Sequence, residues 1–413
     1  MNPQTQDEAS RTAVEPVIID ASFKADAYRQ FAKLRSVAPI HRAQFHAGIT
    51  GWLVVDHDLA REALTHPALL KNAAPAAEML EAAGFLSHKP GVGLGGQMLE
   101  SDPPEHTRLR RLVSSAFTPR RTAELSPRIE QIAHELIDAM PPSGELDLVE
   151  AFTAPLPVTV ISELLGIPQR HAEDFRHYTA IALDVAHPKY GSALASLHKL
   201  LHTVIEGKRG TPQDDLLSAL VAVRDKDDGR LSDEELSGTA ALLVIAGHET
   251  TVNLLGNAIY ALLQHPDQLA LLRRSPQLVT GAVEELLRYD TSVERTTNRY
   301  AAQELQLGGV LIPRGGIVAV ALASVNRDIP LPDGSDPDIL DITRQQSRHL
   351  SFGHGIHHCL GAPLARLEAS LALQTLLSRM RRIELATTEE HMTRIPVGMM
   401  RGLTSLPIRY SLE

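Results

Sequence analysis

Residues 352–361 read FGHGIHHCLG and hold the chain's only cysteine. Gly353, Gly355 and Gly361 allow backbone conformations that other residues resist, so the segment reads as a tight turn leading into a helix that begins near Gly361. The partial positive charge of that helix N-terminus favours a thiolate on Cys359. The bare residues leave two other readings open: a small buried hydrophobe, or the nucleophile of a cysteine enzyme with histidines beside it. Two neighbouring patterns carry less. His354 and His358 stand four apart, as zinc ligands on one helical face would, but Gly353 and Gly355 weaken any helix there. Residues 91–96, GVGLGG, match a dinucleotide fingerprint in letters only. Lys89-Pro90 precedes them and Pro103-Pro104 soon follows, where that motif needs a strand and then a helix.

The elements that must position such a loop are mostly helical. Apolar periodicity predicts helices over 25–37, 57–65, 105–117, 121–140, 157–166, 169–186, 193–207, 213–224, 232–264, 277–289 and 361–380. Ser232 with Glu235 forms a capping box at the start of the longest, which ends before His265-Pro266 and would run ~50 Å. Strands are expected at 51–55, across 304–312 around Gly308-Gly309, and at 316–323. Loops are expected at 87–104 and 327–350. The fold class is therefore mainly α with small β sheets, organised as one domain over 1–413, with 1–20 a flexible N-terminal segment.

Composition narrows the function. The chain has 413 residues, 43% hydrophobic and 22% charged, enough to bury a large core. Its 40 basic and 50 acidic residues give a net charge of −10, which argues against nucleic-acid binding. One cysteine fits the reducing cytoplasm and excludes multi-cysteine zinc modules and iron–sulfur clusters held by a single chain. The polar start, MNPQTQDEASRTAVEP, reads as neither a signal peptide nor an anchor. The apolar stretch 236–263 carries His248, Glu249, Thr250 and Thr251 at its middle. An acid at the bilayer centre costs roughly 2.5–3.5 kcal/mol, so a helix buried in protein is expected.

The pattern Phe352-x-x-Gly355-x-His357-x-Cys359-x-Gly361 resembles the haem-binding loop of the cytochromes P-450, the haem-thiolate monooxygenases. Other marks of that family follow in chain order: DPPEHTRLR at 102–110, AGHET at 246–250, Glu285-x-x-Arg288, NRYA at 298–301 and NRD at 326–328. The resemblance spans roughly 30–410 and implies the cytochrome P-450 fold with haem b (iron protoporphyrin IX) between the 232–264 helix and the cysteine loop. It implies that Cys359 is the axial ligand to the iron. By matching position, His106, Arg110, Arg299 and His357 bind the haem propionates. His106 and Arg110, four apart, share one face of a helix.

Glu249 and Thr250 are implied to deliver protons to oxygen. The Thr250 hydroxyl can bond to the carbonyl of Ala246 four residues back and open the helix locally. Glu285 and Arg288 are implied to be a structural buried ion pair. Leu340 stands where the family often has phenylalanine, which puts local packing in doubt.

The implied reaction inserts one oxygen atom from O2 into an apolar small molecule, by hydroxylation or epoxidation. Ferredoxin and its reductase are the implied electron donors, and the protein is expected to be a cytoplasmic monomer. Segments 75–99, 169–200, 242–250, 293–297 and 397–401 are implied to line the pocket, where Glu294 and Arg295 add a polar contact or lie outside. The segment VERTTNRYA is similar to members that tailor polyketides and macrolides. A peroxide-driven peroxygenase would be expected to lack the Glu249–Thr250 pair, and a haem-binding sensor or carrier would not need it.

Overall fold

The longest helix, Asp233–Gln264, starts where Ser232 accepts a hydrogen bond from Glu235 N at 3.1 Å and the Glu235 carboxylate accepts one from Ser232 N at 2.8 Å. Such reciprocal capping satisfies two of the orphan donors at a helix start. The computed structural model describes residues 15–45, 48–82, 96–114, 117, 119–182, 187–224, 231–331, 334–345 and 348–413. All but Gly96 of the expected GVGLGG loop, and 1–14 of the expected N-terminal segment, lie outside them.

Two hydrophobic cores share this helix. Its first half, Leu236 to Ile245, packs with Leu109, Val113, Ile161, Leu165, Phe175, Leu197 and Leu201. Its second half, Leu254 to Leu262, packs with the helices Ser126–Asp138, Val279–Tyr289 and Ala362–Arg379. The AGHET segment falls between the two cores, so the middle of a buried helix is left facing space. Leu340 is buried in the second core, which answers the doubt about packing there.

Among the described residues the β structure lies in three sheets. A six-stranded sheet runs in the order Val17–Ile18, Ile40–Gln44, Thr50–Val54, Ile317–Val320, Arg299–Ala301, Leu69–Leu70. A three-stranded sheet joins Met380–Leu385, Pro407–Leu412 and Ser143–Asp147. The hairpin Leu305–Leu307 and Val310–Ile312 turns at Gly308 and Gly309, with φ of 57° and 79°. A two-residue turn with both φ positive matches the twist of its strands, and glycine adopts it without strain.

Several expected boundaries shift. The 121–140 helix is two, Pro119–Glu124 and Ser126–Asp138, because Pro127 starts the second one. The 105–117 helix is Glu105–Ser114, and 193–207 extends to Tyr190–Gly210. The long helix ends before His265-Pro266 as expected, and Pro266 also opens a further helix, Pro266–Arg274, since proline suits a first helical turn.

Candidate active site

The exposed middle of the Asp233–Gln264 helix is the first half of the site. Ala246 is exposed and Gly247, Glu249 and Thr250 are half-buried, whereas the stretches 236–245 and 251–262 are almost wholly buried. Thr250 Oγ1 donates to the Ala246 carbonyl at 2.9 Å, the back-bond expected from sequence. Gly247 is required by packing, because a Cβ there would stand 2.8 Å from Ile161 Cδ1 and Cγ1. The helix thus presents a small-residue face with an acid and an alcohol next to each other.

The cysteine loop is the second half. Cys359 N donates to the Phe352 carbonyl at 2.9 Å and His358 N to that of Gly355 at 3.0 Å. Gly355, at φ +75°, lies so close to Leu64 and Thr65 that a Cβ would meet Thr65 Cγ2 at 3.0 Å and the Leu64 carbonyl at 3.2 Å. Burial pushes the Cys359 thiol up, an effect that the backbone N–H groups of Gly361 and Ala362, with Arg110 and Arg366, offset only in part. Cys359 is nonetheless exposed, with no disulfide partner. Leu360, the next residue, packs on the same core as the first half of the long helix, which brings the loop to that helix. No group of three or more possible metal-holding side chains exists among the described residues, so His354 and His358 form no zinc site there.

A cluster of cationic and imidazole groups joins the loop to the Glu105–Ser114 helix and the Arg299–Ala301 strand. The rings of His106 and His357 stand 4.2 Å apart. His106 is 2% exposed. Burial and Arg110 lower its pKa. Burial, helped by His106, Lys71, Arg299 and Arg110, pushes His357 down to about 3. Burial brings Arg299 to about 10, and burial with Arg299 brings Lys71 to about 7. Both His106 nitrogens, His357 Nε2 and Arg299 Nε are buried without a hydrogen-bond partner. Buried polar atoms left unpaired cost about 1–3 kcal/mol each, so this cluster is built for an absent anion. The carboxylates of a haem's two propionates fit it.

Sequence reasoning missed Lys71. Its Nζ donates to Thr297 Oγ1 and, at 2.7 Å, to the Asn298 carbonyl. The Asp102 carboxylate fixes its backbone, accepting from Lys71 N at 2.9 Å and Asn72 N at 2.8 Å. Arg110 shares a helix face with His106 as expected, yet its guanidinium donates to the His358 carbonyl at 2.6 Å and so clamps the loop beside the cysteine.

Glu285 and Arg288 form the expected buried pair at 2.7 Å, and Arg344 adds a second contact to Glu285 at 3.2 Å. Arg288 also donates to the carbonyls of Pro337 and Asn326, holding the segment before the cysteine loop. Glu294 is buried with Lys24 and Arg401 each 3.6 Å from its carboxylate. Arg295 stacks over the Phe45 ring at 4.8 Å. A separate cavity of about 460 Å³, walled by Tyr28, Tyr260, Tyr289, Asp290 and Arg394, shares no residue with the cysteine loop or the cationic cluster. No helix among the described residues is long and apolar enough to cross a membrane.

Comparison with known proteins gives a consistent picture. A family model described as Cytochrome P450 matches residues 144–412. Cytochrome P450 monooxygenase PikC of Streptomyces venezuelae is 45% identical over 409 residues, covering 97% of this chain and 96% of that protein. The 6-deoxyerythronolide B hydroxylase of Saccharopolyspora erythraea is 41% identical, over 95% of this chain and 98% of that one. The solved structure of the tirandamycin C-bound P450 monooxygenase TamI superposes with a TM-score of 0.87 at 39% identity, covering 95% of this chain and 100% of that chain.

Proposed function

The chain belongs to the cytochrome P450 family of haem monooxygenases, and on that premise we propose that it oxidises an apolar secondary metabolite of the polyketide or macrolide class. Bound haem supplies activation of O2 by two electrons delivered singly, and insertion of one oxygen atom into the substrate by hydroxylation or epoxidation. Cys359 would hold the iron through its thiolate. His106, Arg299, His357 and Lys71 hold the propionates, and Arg110 keeps the loop and that cluster together. His106, His357 and Arg299, whose buried nitrogens have no partner within the protein, would each gain a charge-assisted bond.

Thr250 and Glu249 serve proton delivery. The Thr250 proton is committed to the Ala246 carbonyl, which leaves the hydroxyl lone pairs to accept from a water beside the exposed middle of the helix; the helix itself runs unbroken there, without the local opening expected from sequence. Glu249, with its side chain 20% exposed, lies on the same stretch and can carry a proton to that water. The observation that carries this reading is the acid–alcohol pair on an exposed stretch in the middle of a helix that is almost wholly buried on either side of it. A peroxide-driven peroxygenase or a haem-binding sensor has no use for such a pair.

Separate ferredoxin and reductase proteins supply the electrons in this proposal, to a monomeric cytoplasmic protein folded as one domain. The substrate class rests on relatives whose names carry a deoxyerythronolide and a tirandamycin. A spin-state screen of the holoprotein against macrolactones, steroids, terpenoids and fatty acids tests it. The expected response is strongest to macrolactones and requires ferredoxin and reductase for turnover. A response confined to fatty acids, or full turnover with peroxide alone, would overturn it.

A further inference from the structure

His248 sits within the exposed AGHET stretch yet is itself 2% exposed. Its ring faces the helix Ala172–Ala182, where it meets Thr179, which is fully buried. A buried imidazole is tolerated only when its nitrogens are paired. Here Nδ1 lies 2.8 Å from the Val244 carbonyl, and Nε2 lies 3.0 Å from Thr179 Oγ1. A carbonyl only accepts, so Nδ1 carries the proton. The ring is thereby fixed in orientation by two helices, and its Nε2 stands 3.5 Å from Glu249 Oε1.

Thr179 has one hydroxyl proton and a choice of acceptors: the Phe175 carbonyl at 2.7 Å, the Arg176 carbonyl at 3.2 Å, or His248 Nε2. When Thr179 donates to the Phe175 carbonyl, its lone pair faces Nε2, which must then carry a proton. The imidazolium in turn attracts the Glu249 carboxylate. When Thr179 donates to Nε2, the imidazole is neutral and the proton resides on Glu249. The two arrangements differ by one proton passed between Nε2 and Glu249 and one rotated hydroxyl; no charge is gained or lost. The remaining ionisable groups of the Ala172–Ala182 helix do not compete, because Glu173, Asp174, Arg176 and His177 are exposed and Tyr178 is half-buried.

We propose that His248, braced by Thr179, is a positioning residue that holds the Glu249 carboxyl and shares its proton, tying the acid to the Ala172–Ala182 helix. This rests on the reading of Glu249 as the acid of the proposed function. The test follows reductant-driven oxygen consumption by the holoprotein without substrate, supplied with a ferredoxin and its reductase, in light and heavy water. His248→Phe and Thr179→Val are expected to slow it several-fold and change the solvent isotope effect, as Glu249→Gln does, while haem content stays intact. Thr179→Ser, which keeps the hydroxyl, is expected to restore the normal rate; a packing role alone gives no such rescue. Nitrogen-15 spectra of the labelled holoprotein are expected to show a protonated Nδ1 at His248 and a changed Nε2 signal in Thr179→Val.

The outcomes separate the two claims. If Glu249→Gln leaves oxygen consumption unchanged, the acid's role falls and this proposal with it. If Glu249→Gln slows the reaction while Thr179→Val and Thr179→Ser both behave as the parent, only the His248 proposal is overturned.

Discussion

Lys71 offers the sharpest test of the claim that the cationic cluster awaits an anion. In the protein without haem its pKa is pushed to about 7, from an ordinary value of 10.5, by burial and by Arg299. A folded pKa below the unfolded one means that the unfolded chain binds more protons between pH 7 and 10.5. Folding stability therefore rises with pH across that window, at about 1.4 kcal/mol per pH unit, and the full penalty below pH 7 is at most about 5 kcal/mol. Lys71→Met removes the buried charge and keeps most of the volume. The apoprotein of this variant is expected to be more stable than the parent at pH 7 by several kcal/mol, with the gap closing toward pH 10. In the holoprotein the sign reverses, because propionate now pairs with the ammonium and its loss weakens haem retention. Chemical denaturation of both apoproteins from pH 7 to 10, with haem transfer to apomyoglobin for the holo forms, measures both. An apoprotein difference that is flat with pH, or a variant that keeps haem as well as the parent, would refute the reasoning.

Thr250→Ala should still bind haem and substrate and consume reductant, but product per reductant should fall several-fold as hydrogen peroxide rises; full coupling would return Thr250 to a packing role. Arg288→Ala strands Glu285, which is 3% exposed, with Arg344 as its remaining cation. A loss of about 3–5 kcal/mol is expected by denaturation, and Arg288→Lys should not restore a bidentate pair. Gly247→Ala should cost ~1–3 kcal/mol through its clash with Ile161, and Ile161→Val in the same chain should recover part of it. A neutral Gly247→Ala would mean that the two helices part freely.

What could be read from sequence was local. The His57–Thr65 helix has its expected bounds because Asp56 accepts from Leu59 N at 2.8 Å, a cap written three residues apart. The long helix and the glycine hairpin are equally short-range in their signals. The sheet of Met380–Leu385, Pro407–Leu412 and Ser143–Asp147 was missed because one of its two pairings joins segments more than two hundred residues apart and its strands show no clean alternation of buried and exposed residues. In the site, the cysteine loop and the acid–alcohol pair were legible, since rare residue types mark them. Lys71 was not, because its burial depends on Asp102 and Asn298, which are far away in the chain. His248 carried no sign of its direction; only the neighbouring helix shows where its ring points.

The central claim is that Cys359 binds the haem iron as a thiolate, and one spectrum tests it. The carbon-monoxide complex of the reduced parent holoprotein is expected to absorb as a thiolate adduct. Cys359→His is expected to retain some haem, held by the propionate cluster, while its carbon-monoxide complex absorbs as an imidazole adduct. An unchanged thiolate spectrum in Cys359→His would contradict the assignment, since the chain has no second cysteine to supply it.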